Sequence, residues 1–355
     1  MTIAPERVVI LGAGIIGAAT AYYLSLRGVP ATVVERVEPA CAASGKAGGF
    51  LALDWCDDSP MEALARKSFA LHRELATLIP NTGYRPLTTL MVNAAAGQVL
   101  AGEPPESMLW LDRCQVRGLL GTPETTAQVH PARLTRGLLD AAGVRGARLM
   151  RGTVESLILG EDRVRGVRVD SRELLADAVL ISMGPWSSQL TDGLGPTPVG
   201  GLKGTSILLR PDQPVPPQAL FAEYRGAMGS LSPEVFPRPD GEVYVCGVPE
   251  HDDLPEDPSR VQPGDGSAAL LRDLAGDLAT GLGGLTPTTV QACYRPIYPD
   301  GLPRMGAVPG MQGLYLGTGH NCWGILNGPA SGLALAELIA TGKSSSVDLR
   351  PFAVR

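Results

Sequence analysis

The first apolar run of this 355-residue chain reads Arg7-Val8-Val9-Ile10-Leu11-Gly12-Ala13-Gly14-Ile15-Ile16-Gly17. Its first five residues predict a short buried strand, and its glycines have the spacing of a dinucleotide-binding turn. The chain holds 44 glycines, so this spacing arises by chance too often to decide anything alone. The residues around the turn therefore have to establish whether it binds a ligand.

Those residues predict a βαβ unit. Ile15 to Arg27 has the pattern of a helix closed by Gly28, and Ala31 to Glu35 has the pattern of a second buried strand. A glycine turn that leaves a strand and opens a helix in such a unit is the context that a dinucleotide site requires.

Each part of the unit has a physical task. Gly12 permits the tight turn, Gly14 lets a pyrophosphate approach the backbone, and Gly17 lets the helix pack closely on the strand. The helix N-terminus offers free N–H groups and a positive dipole end to the phosphates. Glu35, eighteen residues after Gly17, would bind the ribose hydroxyls and disfavours a 2′-phosphate. The unit therefore predicts FAD or NAD rather than NADP.

The composition is that of an ordinary globular protein, with 44% hydrophobic and 19% charged residues. Thirty basic and 36 acidic residues give a net charge of −6, which argues against nucleic acid or an anionic membrane as the main partner. Six cysteines without a Cys-x-x-Cys pair indicate a reduced, cytoplasmic protein with no metal site. No run of about 18 apolar residues appears, so we expect no membrane span.

The rest of the chain alternates helical and extended patterns. Ser59-Pro60-Met61-Glu62 predicts a helix start, and the leucines that follow mark one face to about Ile79. From Lys203 to Cys246 the pattern predicts an antiparallel sheet with Pro-Asp-Gly turns. The remaining predicted helices and strands cover Pro131 to Gly143, Arg148 to Arg151, Val154 to Leu159, Val164 to Val169, Ala178 to Ser182, Ala268 to Leu278, Thr289 to Tyr294, Gly313 to Gly317 and Gly324 to Ile339.

Four further segments carry a resemblance when they are taken together with the N-terminal turn. They are Ala42 to Gly49, His130-Pro131 with Thr153 to Glu155, Ala178 to Trp186, and Arg295 to Ile325. Together the five segments resemble the D-amino-acid oxidase family of FAD-dependent oxidoreductases, which includes glycine oxidase and sarcosine oxidase. The last segment would contact the cofactor a second time, late in the chain, and NAD dehydrogenases do not need such a contact. The resemblance therefore implies FAD.

The resemblance also implies the architecture and the cofactor contacts. We expect an α/β fold, with a Rossmann-like FAD-binding domain and an inserted, mainly antiparallel β-sheet substrate domain of α+β type. Residues 1–85, 130–202 and 290–355 would form the FAD-binding domain, and residues 86–129 and 203–289 the substrate or cap domain. The expected FAD contacts are Gly12, Gly14, Ile15, Ile16, Gly17, Glu35, Arg36, Ser44, Gly45, Lys46, Ala47, Gly48, Gly49, Val154, Gly184, Trp186, Cys293, Arg295, Gly319, His320, Gly324, Ile325 and Leu326.

Enzymes of this family oxidise a C–N bond beside a carboxylate by hydride transfer to flavin N5. A carboxylate calls for an arginine fork, for which Arg295 is the first choice and Arg238 the second. Lys46 and His320 are further catalytic candidates near the flavin. A solvated Lys46 and a His320 bonded only to backbone fit the sequence as well. We expect a small-molecule amine or amino-acid substrate, with O2 or another carrier accepting the electrons.

Cys293 raises the question of a covalent flavin. It precedes Asp300 by seven residues, and sarcosine oxidases place a cysteine similarly where it bonds to the flavin 8α-methyl group. A cysteine in a strand is more often a small buried apolar residue. We expect FAD to be held without a covalent bond, and a link through Cys293 stays open.

Two other functions stay open beside an oxidase. A dehydrogenase of the same fold would pass electrons to another carrier. A flavin-binding regulatory or interaction protein would show little turnover, and the unfamiliar segments Trp55-Cys56-Asp57 and Asn321-Cys322-Trp323 motivate that alternative. A flavin hydroxylase is disfavoured, because the late segment reads Asp300-Gly301 instead of the Gly-Asp of that group. The oligomeric state is left open.

Overall fold

The computed structural model describes residues 4–100, 102, 106–227 and 229–355. Its helices and strands follow one another through the whole described chain. In chain order they are β1 (Val8–Leu11), α1 (Ile15–Ser25), β2 (Ala31–Glu35), α2 (Ala43–Lys46), β3 (Phe50–Ala52), α3 (Glu62–Leu78), β4 (Arg85–Pro86), β5 (Thr88–Ala95), β6 (Gln115–Gly121), β7 (Thr126–Gln128), α4 (Pro131–Val144), β8 (Arg148–Arg151), β9 (Val154–Leu159), β10 (Val164–Val169), β11 (Arg172–Leu175), β12 (Ala178–Ile181), α5 (Ser188–Thr191), β13 (Gly200–Leu209), β14 (Gln218–Gly226), β15 (Gly229–Leu231), β16 (Glu234–Pro237), β17 (Val243–Glu250), α6 (Ser267–Leu278), β18 (Thr289–Ile297), β19 (Arg304–Ala307), β20 (Leu314–Thr318) and α7 (Gly324–Thr341).

The first sheet contains the N-terminal βαβ unit, with six strands in the order β19-β20-β12-β1-β2-β8. All its neighbours are parallel except the edge strand β19, which is antiparallel to β20. β1 and β12 are buried along their whole length, as expected for apolar strands that are covered on both faces. The glycine turn after β1 therefore lies at the carboxyl edge of the sheet, where open α/β sheets bind ligands.

The helices α1 and α7 pack almost backbone to backbone beside this sheet. A Cβ on Gly332 would lie 2.6 Å from the carbonyl carbon of Ala19, and a Cβ on Gly328 would overlap the Ile15 side chain. Interiors this densely packed have no free volume to absorb such a group. Small residues thus bring the start of α7 close to the glycine turn, although the two lie more than 300 residues apart.

The second sheet is mainly antiparallel, with strands in the order β18-β13-β17-β16-β14-β5-β6 and β15 attached to β14. Among the described strands of this sheet, β14 and β5 form the one parallel pair. The apolar side of α6, with Leu271, Leu274 and Leu278, packs on one face of this sheet and leaves the other face toward the first sheet. The predicted fold class, an α/β domain with an inserted antiparallel sheet, is confirmed.

The boundary between the two domains stays a proposal. Strand pairing places β18 beside β13 in the second sheet, whereas the proposed division assigns residues 290–297 to the first domain. Two three-stranded sheets, β11-β10-β9 and β3-β7-β4, complete the described strands. Among the described helices, none combines the length and the hydropathy that crossing a bilayer requires.

Three predicted helix ends were wrong by about two residues, and one of them is the end of α7, which lies at Thr341 instead of Ile339. Ser59 does not begin α3, although its hydroxyl accepts the N–H of Met61 at 3.2 Å, because this hydroxyl also donates to the carbonyl of Cys56 and the N–H of Glu62 bonds the Ser59 carbonyl only three residues back. These bonds close a separate turn, and α3 begins at Glu62. The helix α1 ends at Ser25 and not at the predicted Arg27. The N–H groups of Arg27 and Gly28 bond carbonyls three residues back instead of four.

Candidate active site

A cavity of about 440 Å³ lies between the carboxyl edge of the first sheet and the open face of the second. It gathers residues from the glycine turn, the end of β2, the α2 loop, the strands β13, β16, β17 and β18, and the start of α7. The predicted residues in its wall are Gly12, Gly14, Ile15, Ile16, Glu35, Arg36, Ser44, Ala47, Gly48, Val154, Gly184, Trp186, Cys293, Arg295, His320, Gly324 and Ile325.

The other predicted residues lie behind this wall: Gly17, Gly45, Lys46, Gly49, Gly319 and Leu326. Most of them are places where the chain passes close to other protein atoms. A Cβ on Gly45 or Gly49 would overlap a backbone carbonyl, and one on Gly319 would overlap the Tyr298 ring. Their small size therefore shapes the support of the site, and direct contact with a cofactor remains a prediction for them.

The glycine turn forms one end of the cavity. Gly12 has a φ of +98°, and a Cβ there would lie 2.6 Å from the carbonyl oxygen of Ser182, so only glycine fits. Gly14 caps α1 and accepts the N–H of Ala18 at 2.8 Å. The Oγ of Ser44 accepts the N–H of Ile15 at 2.9 Å and ties the α2 loop to this helix end. A helix N-terminus in a glycine cradle fits a pyrophosphate.

Glu35 is held in one orientation at the end of β2. Its carboxylate accepts the N–H of Ala13 at 2.9 Å and the N–H of Val37 at 2.9 Å, one on each oxygen. The Cys41 thiol also donates to Oε1 at 3.8 Å, so Oε2 is the oxygen whose second lone pair can accept a hydroxyl donor from the cavity. This arrangement fits the ribose of an adenosine half.

A loop covers the end of the cavity next to Glu35. The indole Nε1 of Trp186 donates to the carbonyl of Pro255 at 2.7 Å, and Arg36 Nη1 donates to the carbonyl of Glu256 at 3.2 Å. Val154 lines the same end at the start of β9. The structure therefore brings the predicted FAD contacts Glu35, Arg36, Val154 and Trp186 to one end of the cavity, although Glu35 and Trp186 lie 151 positions apart in the chain.

Lys46 is anchored to the second sheet. Its Nζ donates to the carbonyl of Ala292 at 3.0 Å, and its own carbonyl accepts Gln291 Nε2 at 3.3 Å. Both partners belong to β18, so Lys46 fastens the α2 loop to that strand. Its charge still reaches the cavity, since it opposes the burial that raises the pKa of the Cys293 thiol to about 11.

Arg295 enters the cavity from β18, and Arg238 does not. Arg238 donates to Glu242 Oε2 at 3.2 Å and to the carbonyl of Ala47 at 3.3 Å, and its guanidinium lies 5.6 Å from the centre of the Tyr244 ring. No ion pair within the described part of the chain involves Arg295. Of the two candidates, Arg295 is the one with a fork that a ligand can use.

Two features of the second sheet stand on the same face as Arg295. Gly204 of β13 pairs with Cys293, and a Cβ there would meet nothing within 4 Å, so the sheet is open at that point. Glu234, the first residue of β16, pairs with Cys246 of β17, whose Sγ lies 3.7 Å from Glu234 Oε2. The sheet thus presents a flat gap flanked by one positive and one negative side chain.

The charges of Arg295 and Glu234 act on each other and on the same thiols. Desolvation raises the pKa of Glu234, while Arg295 and the Cys246 thiol lower it. Desolvation also raises the pKa of Cys322, Arg295 lowers it, and Glu234 raises it further. The pKa of Cys246 is raised well above 9, chiefly by desolvation. Both thiols are therefore neutral near pH 7, and the groups of this cluster that can carry a charge are Arg295 and Glu234.

His320 is a neutral side chain below the start of α7. It is 2% exposed, its Nε2 lies 3.0 Å from Ser331 Oγ, and burial lowers its pKa to about 3. A histidine that gains its second proton only near pH 3 is uncharged at neutral pH. The geometry supports a fixed dipole at the cavity wall, and a role in proton transfer is disfavoured.

The first turns of α7 depend on side chains of α3. Pro329 has no N–H for the carbonyl of Ile325, and the N–H of Ala330 donates to Ser68 Oγ at 3.0 Å. His72 Nε2 lies 3.0 Å from each of the two carbonyls of Ile325 and Leu326. Burial lowers the pKa of His72 to about 4, so the neutral ring donates from Nε2. Ser68 and His72 therefore complete the hydrogen bonds that Pro329 interrupts.

Ser68→Ala is expected to lower the free energy of unfolding by about 1–3 kcal/mol, because it leaves the buried N–H of Ala330 without an acceptor. Urea unfolding followed by circular dichroism measures the change. Thr77→Ala on the exposed face of the same helix removes an equivalent hydroxyl and should change stability by less than about 0.5 kcal/mol. Equal effects of the two variants would show that Ser68 does not support α7.

Sequence reasoning missed Glu234, Cys246 and Tyr244, which all line the cavity. A weak signal was present: Glu234 and Phe236 alternate on one face of a short strand, as do Tyr244 and Cys246 on the next. That alternation puts a carboxylate on a face that is otherwise apolar. The order of strands in the sheet was needed to show that this face meets Arg295.

His130, Asp240 and Glu242 place ligand atoms within 4.8 Å of one another away from this cavity. Arg133 pairs with Asp240 at 2.6 Å, and Arg238 pairs with Glu242 at 3.2 Å. Arginines already balance these carboxylates, so we assign no metal ion to the group.

The chain matches a family of known enzymes over nearly its whole length. The family model described as DAO, FAD dependent oxidoreductase, matches residues 7–338. The glycine oxidase of Pseudomonas aeruginosa is 32% identical over 376 aligned residues, which cover 98% of this chain and 98% of that protein.

Solved structures show the same fold. Glycine oxidase from Geobacillus kaustophilus superposes with a TM-score of 0.81 at 24% identity, covering 100% of this chain and 99% of that one. Iminodiacetate oxidase from Chelativorans sp. superposes with a TM-score of 0.81 at 23% identity, covering 98% and 99%. The chain belongs to the DAO family of FAD-dependent oxidoreductases, and the cavity between its two sheets fits the FAD that this family uses.

Proposed function

We propose that this protein oxidises the C–N bond of an amine or amino acid by hydride transfer to N5 of FAD, with O2 as the electron acceptor. The observation that carries the proposal is Arg295, a guanidinium in the wall of the FAD cavity with no ion pair among the described residues. A guanidinium fork binds a carboxylate through two parallel hydrogen bonds. The relative from Pseudomonas aeruginosa is named as an oxidase of glycine, an amine that carries a carboxylate.

The chain's own residues would orient the substrate and shape the charge around it. Arg295 would hold the carboxylate and so turn the neighbouring carbon toward the open gap at Gly204. FAD, when bound, supplies the ring that accepts the hydride at N5. The N–H groups of Gly324 and Ile325 at the start of α7 would stabilise negative charge on that ring. The neutral His320 adds no positive charge of its own.

Anaerobic mixing of the purified holoprotein with a panel of amines tests the proposal. The panel contains glycine, sarcosine and other N-methyl glycines, and both enantiomers of the common amino acids. At least one member should bleach the flavin absorbance within seconds. If every member leaves the flavin oxidised, the proposal is wrong, and a flavin-binding protein with little turnover becomes the better account.

The electron acceptor needs its own measurement. Under air, an oxidase releases one hydrogen peroxide for each substrate oxidised, and a coupled peroxidase assay counts it. A dehydrogenase of the same fold would reduce an added dye and release little peroxide. We expect peroxide in a ratio close to one.

We expect FAD to be bound without a covalent link. Burial raises the pKa of Cys293 to about 11, so the thiol stays protonated and is a poor nucleophile toward the flavin methyl group. Acid precipitation should therefore leave all the flavin in the supernatant. Cys293→Ala should retain the flavin content of the wild type. A yellow protein pellet that becomes colourless in Cys293→Ala would establish the covalent bond instead.

A further inference from the structure

The cavity wall contains a carboxylate that the proposed function has not used. Glu234 opens β16 and lines the cavity together with Arg295. Like Arg295, it takes part in no ion pair of the described chain. Its described hydrogen-bond donor is the weak thiol of Cys246, 3.7 Å away.

Lys203 is the third charged residue that the second sheet contributes to the described cavity wall, and its charge is fully paired. Lys203 Nζ lies 2.8 Å from Glu250 Oε2 and also contacts Asp252. The fold therefore neutralises one charge that it places here and leaves two of opposite sign, Arg295 and Glu234, open to the cavity. The Arg295 guanidinium balances the half-buried carboxylate of Glu234 only in part, because the two form no ion pair within 4.0 Å, so a donor on a ligand would stabilise it.

A substrate that carries both charges would balance both groups. Near pH 7 an aliphatic amino acid has a carboxylate and an ammonium group. The carboxylate matches Arg295. The ammonium group matches Glu234, because its N–H groups are strong hydrogen-bond donors to carboxylate oxygens, whereas the Cys246 thiol is a weak one. Quaternary amines have no proton to give, and a second carboxylate on the substrate would face Glu234 and be repelled.

Resting on the proposed function, we propose that Glu234 binds the ammonium group of the substrate and accepts its proton before the hydride leaves. An N–H bond of the ammonium group breaks, its electron pair stays on nitrogen, and an O–H bond forms on Glu234. The C–H bond next to nitrogen can then break with its electron pair passing to N5, while the nitrogen lone pair forms the C=N bond. The substrate is oxidised by two electrons and the flavin is reduced by two.

The surroundings of Glu234 suit a group that must change its charge. Desolvation raises its pKa, so a proton from the substrate is retained more readily than on an ordinary glutamate. The groups that face it are Arg295 on β18, Cys246 on β17 and Cys322 before α7, and both thiols stay protonated near pH 7. Arg295 stays charged and both thiols stay protonated, so Glu234 is the member of this cluster that can take up a proton from the substrate.

The test is the pH dependence of flavin reduction in wild-type, Glu234→Gln and Glu234→Asp holoproteins, measured anaerobically with the fastest amine of the panel. In the wild type the rate should fall at low pH as Glu234 becomes protonated. Glu234→Gln should be slower by about 100-fold or more near pH 7.5 and should recover above the pKa of the free amine, where the substrate arrives neutral. Glu234→Asp should restore part of the rate.

Controls separate this role from damage to the fold. Glu223→Gln replaces an exposed glutamate of β14 in the same sheet and should leave the rate and its pH profile unchanged. Each variant must keep the wild-type ratio of flavin to protein. A Glu234→Gln protein with the wild-type rate and pH profile would overturn the assignment and leave the proposed function standing.

If no amine reduces the flavin, binding decides the assignment instead. Glycine and propanoate have nearly the same shape and differ in the ammonium group, and both can be titrated against the flavin absorbance. The wild type should bind glycine at least tenfold more tightly, and Glu234→Gln should lose that preference. Equal affinities, or no binding of either ligand, would overturn the role of Glu234.

Discussion

Gly17→Ala is expected to yield protein that is purified without FAD. A Cβ at this position would overlap the carbonyl oxygen of Gly12 and lie 2.9 Å from Ser182 Oγ and 3.1 Å from Ile10 Cγ2. The Gly12 oxygen and the Ile10 side chain belong to the buried strand and turn, and neither has room to move. Relief would require α1 to lift off β1, which we expect to cost about 3 kcal/mol and to distort the pyrophosphate cradle. The ratio of flavin absorbance to protein absorbance measures the loss.

Gly143→Ala is the matched control for this change. Gly143 lies in the last turn of α4, and a Cβ there would meet nothing within 4 Å. Alanine is favoured over glycine in a helix by up to about 1 kcal/mol, so this variant should keep its FAD and be slightly more stable. Replacing glycine by alanine is thus expected to destabilise the protein in α1 and to stabilise it slightly in α4. Full flavin content in Gly17→Ala would show that close packing of α1 on β1 is not required.

The dinucleotide end of the site could be predicted from sequence because its parts are close together in the chain. Strand, turn, helix and Glu35 fall within one stretch, residues 7–35, and local periodicity predicts all of them. Their contacts also follow from local structure, since Gly12 and Glu35 end neighbouring parallel strands. The position of these residues at the carboxyl edge of the first sheet could therefore be predicted without knowing which distant segments pack against them.

The substrate end could not be predicted in the same way. Glu234 opens a four-residue strand, and its neighbours in the sheet come from β14 and β17. Local alternation predicts that strands exist in this region but does not specify their order. Arg295 could be identified from the sequence through a resemblance. Glu234, on the same face of the sheet, could be identified only once the order of the strands was known.

For helix α7, the sequence predicted the helix but not the contacts that stabilise its first turns. Its apolar pattern predicts a helix through Pro329, a residue that normally ends or kinks one. The pattern does not say how the interruption is tolerated. The partners that complete the hydrogen bonds, Ser68 and His72, lie more than 250 residues earlier in the chain. Only the packing of α3 on α7 reveals them.

Arg295→Met is expected to lower kcat/KM for an amino-acid substrate by about 10³-fold, whereas flavin content stays near that of the wild type. Loss of a desolvated charge partner costs about 4 kcal/mol, which is close to three decades in rate. Methionine keeps the unbranched stem of the side chain and removes only the fork. Steady-state kinetics under air, with peroxide as the readout, measures the change. Arg225→Met, on the exposed surface of β14, is the control and should leave kcat/KM unchanged.

The loss at Arg295 should exceed that of a simple contact, because Glu234 remains behind. Without the guanidinium, the cavity presents a single uncompensated carboxylate, which repels the carboxylate of the substrate as well as failing to bind it. The double variant Arg295→Met with Glu234→Gln should therefore be less impaired than the product of the two single effects predicts. An amine that lacks a carboxylate should be almost indifferent to Arg295→Met. If such an amine and an amino acid lose activity equally, Arg295 supports the fold of the cavity and is not the carboxylate-binding residue.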